Sequence, residues 1–340
     1  MTSGIPEPGA GGAAEGPPLP RFTADDFRLG DGAAECDLVL KGGVTSGVVY
    51  PYALLELARR YRFRSIGGTS AGAIAAAFAA AAEYARTVRG DPEGFVRMQR
   101  LCDALPGMLG DLFQPSPPFR PLMRYLLKAQ AGGAAGWAWR ALATFWGTTL
   151  AGLAAGAGLL ALLDGGWAGS ILGGLVGVIA ALVLRLGRLL LTHLPAHGYG
   201  MCPGPTQAGG QGPGLTDWLH AALQEIAFGD PRHPTPLTFG DLAGPDPDAP
   251  QIDLRMVTTN LSMRRPHTLP RLGITFGYDP AEWSALFPPP VLTHLQATAG
   301  PLRKAPPYLT LSRPADLPVL VAVRMSLSFP LLFRAVPMYV

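Results

Sequence analysis

The sequence predicts an α/β fold with a mostly parallel sheet, interrupted by a hydrophobic two-helix hairpin. Three observations lead there. Residues 37–87 spell strand, glycine loop, helix, strand, serine turn, helix, the order of a βαβα unit with a right-handed crossover. Residues 252–259 alternate as a further strand of the same sheet. Between Arg140 and Arg185 the only charge is Asp164, which leaves two apolar runs that each approach the roughly 20 residues needed to cross a bilayer.

Composition agrees with a localised apolar excess. Of 340 residues, 48% are hydrophobic and only 15% charged, and the mean hydropathy is +0.23. A net charge of +3 is too small to mark a nucleic-acid binder. Cys36, Cys102 and Cys202 are far apart and match neither a metal spacing nor a disulfide framework. No metal and no cofactor is implied.

Taken in order, residues 1–34 read as a Gly/Pro/Ala-rich tail with no basic segment followed by an apolar one, hence disordered and not a secretory signal. Residues 35–130 form the first part of a catalytic domain. Asp37 to Lys41 is a short buried strand that empties into Gly42-Gly43-Val44-Thr45-Ser46-Gly47, and consecutive backbone N–H groups in such a loop make an anion cradle. Val44 stands at the third position of a Gly-x-Gly-x-x-Gly dinucleotide fingerprint, where glycine is needed, and no Gly-Lys-Ser/Thr ending follows, which argues against a nucleotide ligand. Tyr50 to Tyr61 is a helix with Leu54, Leu57, Ala58 and Tyr61 on one face.

Arg62 to Ile66 is the second strand, and Gly68-Thr69-Ser70-Ala71-Gly72 the turn into an alanine-rich helix. A Gly-x-Ser-x-Gly turn between strand and helix exposes its serine as a nucleophile, and the two glycines, Gly68 and Gly72, let the elements approach. The helix N-terminus beside Ser70 favours developing negative charge. A small-residue turn that merely contains serine is the alternative.

These residues together resemble the patatin-like phospholipases over about Cys36–Ala85, and more weakly over Ile252–Pro330. The resemblance implies a three-layer sandwich around a mostly parallel sheet. It implies Ser70 as nucleophile, an oxyanion hole from the N–H groups of Gly42, Gly43 and Val44, and an aspartate from a later Asp-Gly acting directly on the serine. Membrane phospholipid or lysophospholipid is the implied substrate. The loop departs from the family pattern, since Ser46 stands where a basic residue is usual.

Beyond Ala85, residues 91–130 read as short helical pieces around the breaker run Gln114 to Pro118. Residues 131–194 hold the two apolar runs, Ala141–Leu163 and Gly165–Leu184, turned at Asp164-Gly165-Gly166. Gly152-x-x-x-Gly156 and Gly173-x-x-x-Gly177 allow close helix packing in lipid, and Trp137, Trp139, Trp146 and Trp167 lie near the ends as interfacial aromatics do. Buried core helices are the alternative. Arg124, Lys128 and Arg140 before the pair, with Arg185 and Arg188 after it, favour two spans with both ends inside and Ser70 on the cytoplasmic side.

Residues 195–214 are expected to be a Gly/Pro linker, and residues 215–340 the remainder of the catalytic domain. Thr216–Ala227 suits an amphipathic helix capped by Thr216 or Asp217. Arg264, Arg265 and His267 are expected in a solvated loop. A Ser-His-Asp triad with His267 or His294 competes with the dyad. The segment Val319–Pro330 resembles the family's stretch just upstream of its Asp-Gly, yet the chain reaches Val340 without that pair. Asp31-Gly32 and Asp164-Gly165 are the only Asp-Gly pairs, and both are misplaced. The expectation is a fragment or shortened chain whose catalytic aspartate lies outside it. A catalytically inactive, membrane-tethered scaffold is the competing reading.

Overall fold

The structure, a computed structural model, describes residues 20–30, 32–43, 46–128, 134–163, 166–246, 248–302 and 308–340. A 3₁₀ turn at Ala24–Phe27 precedes β1 (Glu35–Leu40), α1 (Ser46–Ala58), β2 (Arg62–Thr69), α2 (Ala71–Thr87), α3 (Glu93–Leu112) and α4 (Arg120–Lys128). The apolar region holds α5 (Ala134–Thr144), α6 (Trp146–Leu162) and α7 (Gly166–Arg188), continued by a π turn and the short α8 (Leu194–Ala196). The return comprises β3 (Gly200–Cys202), α9 (Leu215–Phe228), α10 (Phe239–Ala243), β4 (Asp253–Asn260), β5 (Arg265–Leu269) and β6 (Gly277–Tyr278). It closes with α11 (Pro280–Ser284), α12 (Pro289–Thr298), β7 (Leu309–Thr310), α13 (Val319–Ser326) and β8 (Leu331–Phe333).

The main sheet runs β1-β2-β4-β5. Its first three strands are parallel, and β5 is an antiparallel edge. Residues abreast across it share a face. Leu40, Gly68, Met256 and Leu269 form one buried row, and Leu38, Ile66 and Leu254 another. Helices α2 and α13 press on this side, bringing Ala73, Ala76, Ala77 and Val323 into the core.

The opposite rows, Val39–Gly67–Arg255 and Thr69–Val257–Thr268, are exposed or half-exposed, Val39 by 88%. The described residues therefore build two layers here where three were expected. The reason is topological: both crossovers proceed in the same direction across the sheet, and right-handed connections then put α1 and α2 on one side.

Several local expectations are corrected. Phe22 and Phe27, placed in the tail, are buried, and Phe27 stacks on Phe95 at 4.9 Å; residues 1–19 lie outside the described residues. Residues 93–112 form one 20-residue helix despite Pro106, because its amphipathic face buries Phe95 and Met98. Inside the expected linker, β3 pairs in parallel with β8. Gly214, not Thr216, caps α9, while Asp217 accepts from Thr206 N–H at 2.8 Å. Arg265 and His267 lie on β5 and not in a loop; as an edge strand it tolerates charge on its open side.

The apolar region forms an antiparallel helix pair. A side-chain carbon at Gly152 or Gly156 would overlap the backbone of Gly177 or Gly173 on the facing helix, so glycine at these four positions sets the spacing. The outward faces are bare: Leu159, Leu162, Leu175, Ile179 and Leu184 are each more than half exposed. The described residues therefore do not bury this pair in a core. Among the described residues one helix, Gly166–Ala196 with mean hydropathy 2.2, is long and apolar enough to cross a membrane, whereas α6 has 17 residues. The two expected spans are thus one of sufficient length and one shorter partner.

Candidate active site

The turn between β2 and α2 has the geometry its glycines imply. Ser70 adopts φ 53°, ψ −126°, outside the regions a side-chain-bearing residue normally occupies. A Cβ at Gly68 would lie 2.7 Å from the Ala76 Cβ and 2.8 Å from the Ala73 Cα, and one at Gly72 would overlap the Leu40 carbonyl oxygen. Strand and helix can therefore meet only if both residues lack side chains.

The turn faces the loop after β1. A Cβ at Gly42 would stand 2.6 Å from the Ser70 Cβ and 3.3 Å from its Oγ, which brings the hydroxyl against the expected oxyanion loop. Ser70 is half-buried. Gly42 N–H donates to Thr69 Oγ1 at 3.1 Å, and Tyr50 Oη donates to the Lys41 carbonyl at 2.7 Å. Both groups belong to the Lys41–Gly42 peptide, which is thereby held at its N–H and at its carbonyl. Gly43 follows at the open end of the loop, and Val44 lies outside the described residues.

Residues that sequence reasoning missed hold the turn from the far end of the chain. Ser70 N–H donates to Ser326 Oγ at 3.0 Å, and Ser326 Oγ donates to the Val257 carbonyl at 2.7 Å. Thr258 Oγ1 adds a bond to the Met325 carbonyl at 2.9 Å. The last turn of α13 is thus stitched to both β4 and the serine turn. Behind it, Arg324 is fully buried, its Nη2 donating to the carbonyls of Pro203 (3.1 Å) and Arg334 (2.7 Å) over the Phe333 ring. With no carboxylate among these partners, burial pulls its guanidinium down to about 10. The only sequence signal for these contacts was the resemblance of Val319–Pro330, which assigns Ser326 no role.

Neither histidine weighed for a triad is hydrogen-bonded to Ser70. His294 Nε2 lies 2.8 Å from the Asp316 carbonyl and so serves as a donor. His267 sits on β5 opposite Thr258 with its ring edge-on to Phe276. Asp31 and Asp164, the two aspartates that precede glycine, lie outside the described residues. All three thiols are free, and burial pushes those of Cys102 and Cys202 up to about 12, which keeps them protonated and unreactive.

With this geometry established, comparison with known proteins shows what part of the chain is similar to a known family. Residues 38–190 match the model of the patatin family, described as patatin-like phospholipase. The RpoH suppressor of Rhizobium meliloti (strain 1021) is 41% identical over 343 residues, covering 90% of this chain and 53% of that protein. The chain thus spans about half the length of that relative. No solved structure matches.

Proposed function

From a chain whose residues 38–190 carry the patatin-like phospholipase domain, we propose that it is a serine lipid acyl hydrolase working at a membrane surface. The single observation that carries this reading is the Ser70 hydroxyl held against the Gly42 loop in a strained strand-to-helix turn. Ser70 Oγ attacks the ester carbonyl carbon, and its proton passes to an aspartate, the second member of the dyad. Gly43 and Val44 N–H groups receive the oxyanion, joined by that of Gly42 when the Thr69 hydroxyl turns away. Collapse of the tetrahedral species breaks the carbon–oxygen bond to the alcohol, which leaves with the aspartate's proton. Water then cleaves the acyl-Ser70 ester, releasing fatty acid and regenerating the hydroxyl.

The exposed hairpin of α6 and α7 anchors the domain, with Ser70 on the cytoplasmic face where its phospholipid or lysophospholipid substrate lies. Neither nucleic acid nor nucleotide is a partner in this reading. A fluorophosphonate probe tests it. Labelling of the full-length protein should be complete and should vanish in Ser70→Ala. Absence of labelling, together with no turnover of a phospholipid ester, would leave the membrane-tethered scaffold as the function.

Ser326 gives a second test. Alanine there removes the acceptor of Ser70 N–H and loosens the turn, so kcat should fall about 10–100-fold, as small misplacements of a reacting group do. KM should change little, because Ser326 touches the backbone and not the substrate. An unchanged kcat would mean that the turn holds without it.

A further inference from the structure

Where α5 meets α6, the helix breaks at Phe145, with φ −106° and ψ 32°. The break opens a cavity of about 530 Å³ between the two arms of the hairpin, lined by Thr144, Phe145, Trp146 and Thr148 on one side and by Ala181 and Arg185 on the other. Arg185 does not dangle there. Its Nη1 donates to Thr148 Oγ1 at 2.8 Å, and its guanidinium lies over the Phe145 ring at 5.2 Å. Both contacts are neutral, and no carboxylate is among the described residues lining the cavity. The cation is oriented without being neutralised, and its remaining N–H groups have the planar fork that matches phosphate.

The level of the cavity along the hairpin is set by the helix itself. From Trp167, beside the turn, to Arg185 the helix rises about 27 Å, close to the ~30 Å of a bilayer's hydrocarbon core. Trp167 is 81% exposed at one end, and Trp146 and Trp139 are 67% and 71% exposed at the other, so an aromatic ring marks each boundary. With the turn at one head-group layer, Arg185 and its cavity sit in the other. Arg188 lies one turn beyond on the same helix.

We propose that Arg185, Thr148 and the Phe145 break form a binding site for the phosphate of an anionic glycerophospholipid. The site orders a lipid at the base of the hairpin, on the face where the hydrolase domain emerges. This inference rests on the hairpin lying in a bilayer, and the experiment separates the two.

The full chain is reconstituted in phosphatidylcholine vesicles in which the brominated component is either phosphatidylcholine or phosphatidylglycerol. Tryptophan quenching is read in the native chain and in Trp146→Phe, and the difference isolates the residue lining the cavity. Brominated phosphatidylglycerol should quench Trp146 about fivefold more effectively than brominated phosphatidylcholine, the factor expected of one basic side chain at an anionic surface. The preference should disappear in Arg185→Gln, weaken in Thr148→Val, survive in Arg188→Gln, and withstand glycerol 3-phosphate in the buffer.

Equal quenching of Trp146 by both lipids would overturn the site while leaving the hairpin in the membrane. Loss of the preference in Arg188→Gln as well would reduce it to diffuse charge and overturn it too. Its removal by glycerol 3-phosphate would make it a site for soluble anions instead of lipid. Quenching by neither lipid would overturn both this site and the membrane reading beneath it.

Discussion

Glycine in place of Ser70 is expected to make the protein more stable and inactive at once. Ser70 holds φ 53°, ψ −126°, and a side-chain-bearing residue in so sparsely populated a region stores about 1–3 kcal/mol of strain. Glycine reaches that region freely, so Ser70→Gly should recover most of the strain as stability, a rise in Tm of about 1–4 °C, since in a chain of 340 residues each kcal/mol shifts Tm by about 1.4 °C. Ser70→Ala keeps the Cβ and should melt with the native protein. Both variants should lose about 10⁶-fold in ester turnover, as hydrolases do when their nucleophile is removed. Thermal melts of the three proteins in one detergent decide the matter. If Ser70→Gly melts no higher than Ser70→Ala, the turn is not strained.

Valine at Gly72, where α2 meets the sheet, is expected to be strongly disruptive. Its Cβ would overlap the Leu40 carbonyl oxygen and come within 3.0 Å of the Lys41 carbonyl carbon. Both obstacles are backbone, so no rotamer relieves them. The first turn of α2 must then lift off β1, which destabilises by about 3 kcal/mol or more and carries Ser70 away from Gly42. The control is Gly67→Ala, one row over on the open face, where the nearest atom to a new Cβ is the Leu38 carbonyl oxygen at 3.7 Å. Denaturant midpoints should place Gly67→Ala beside the native protein and Gly72→Val far below it. Equal midpoints would mean that the helix approach is not set by Gly72.

What could be read from the sequence was what short spans encode. Gly68-Thr69-Ser70-Ala71-Gly72 announces itself because strand, tight turn and helix follow within a few residues. The glycines of α6 and α7 announce themselves because the runs around them lack charge. Contacts between distant segments leave no such trace. Ser326 reaches Ser70 from the far end of the chain, and nothing around Val319–Ser326 distinguishes a tether from an ordinary buried helix. The three-residue strands β3 and β8 are too short for alternation to register amid glycine and proline. Charged β5 read as loop because an edge strand with an open side needs little apolar patterning. The bare second face of the sheet was hidden for a related reason, since Gly67 and Thr69 read equally well under a helix or in water.

The pairing of β2 with β4 has a consequence for how the protein is born. At about 5–20 residues per second, a ribosome needs roughly 10–40 s to travel from Thr69 to Val257, and longer still to reach the helix that ends at Ser326. Throughout that interval the nascent chain carries its reactive hydroxyl without the neighbours that fix it. The apolar hairpin is synthesised inside the same interval. On the function proposed above, hydrolytic competence matures after the anchor exists, so that the enzyme wakes where it is already moored.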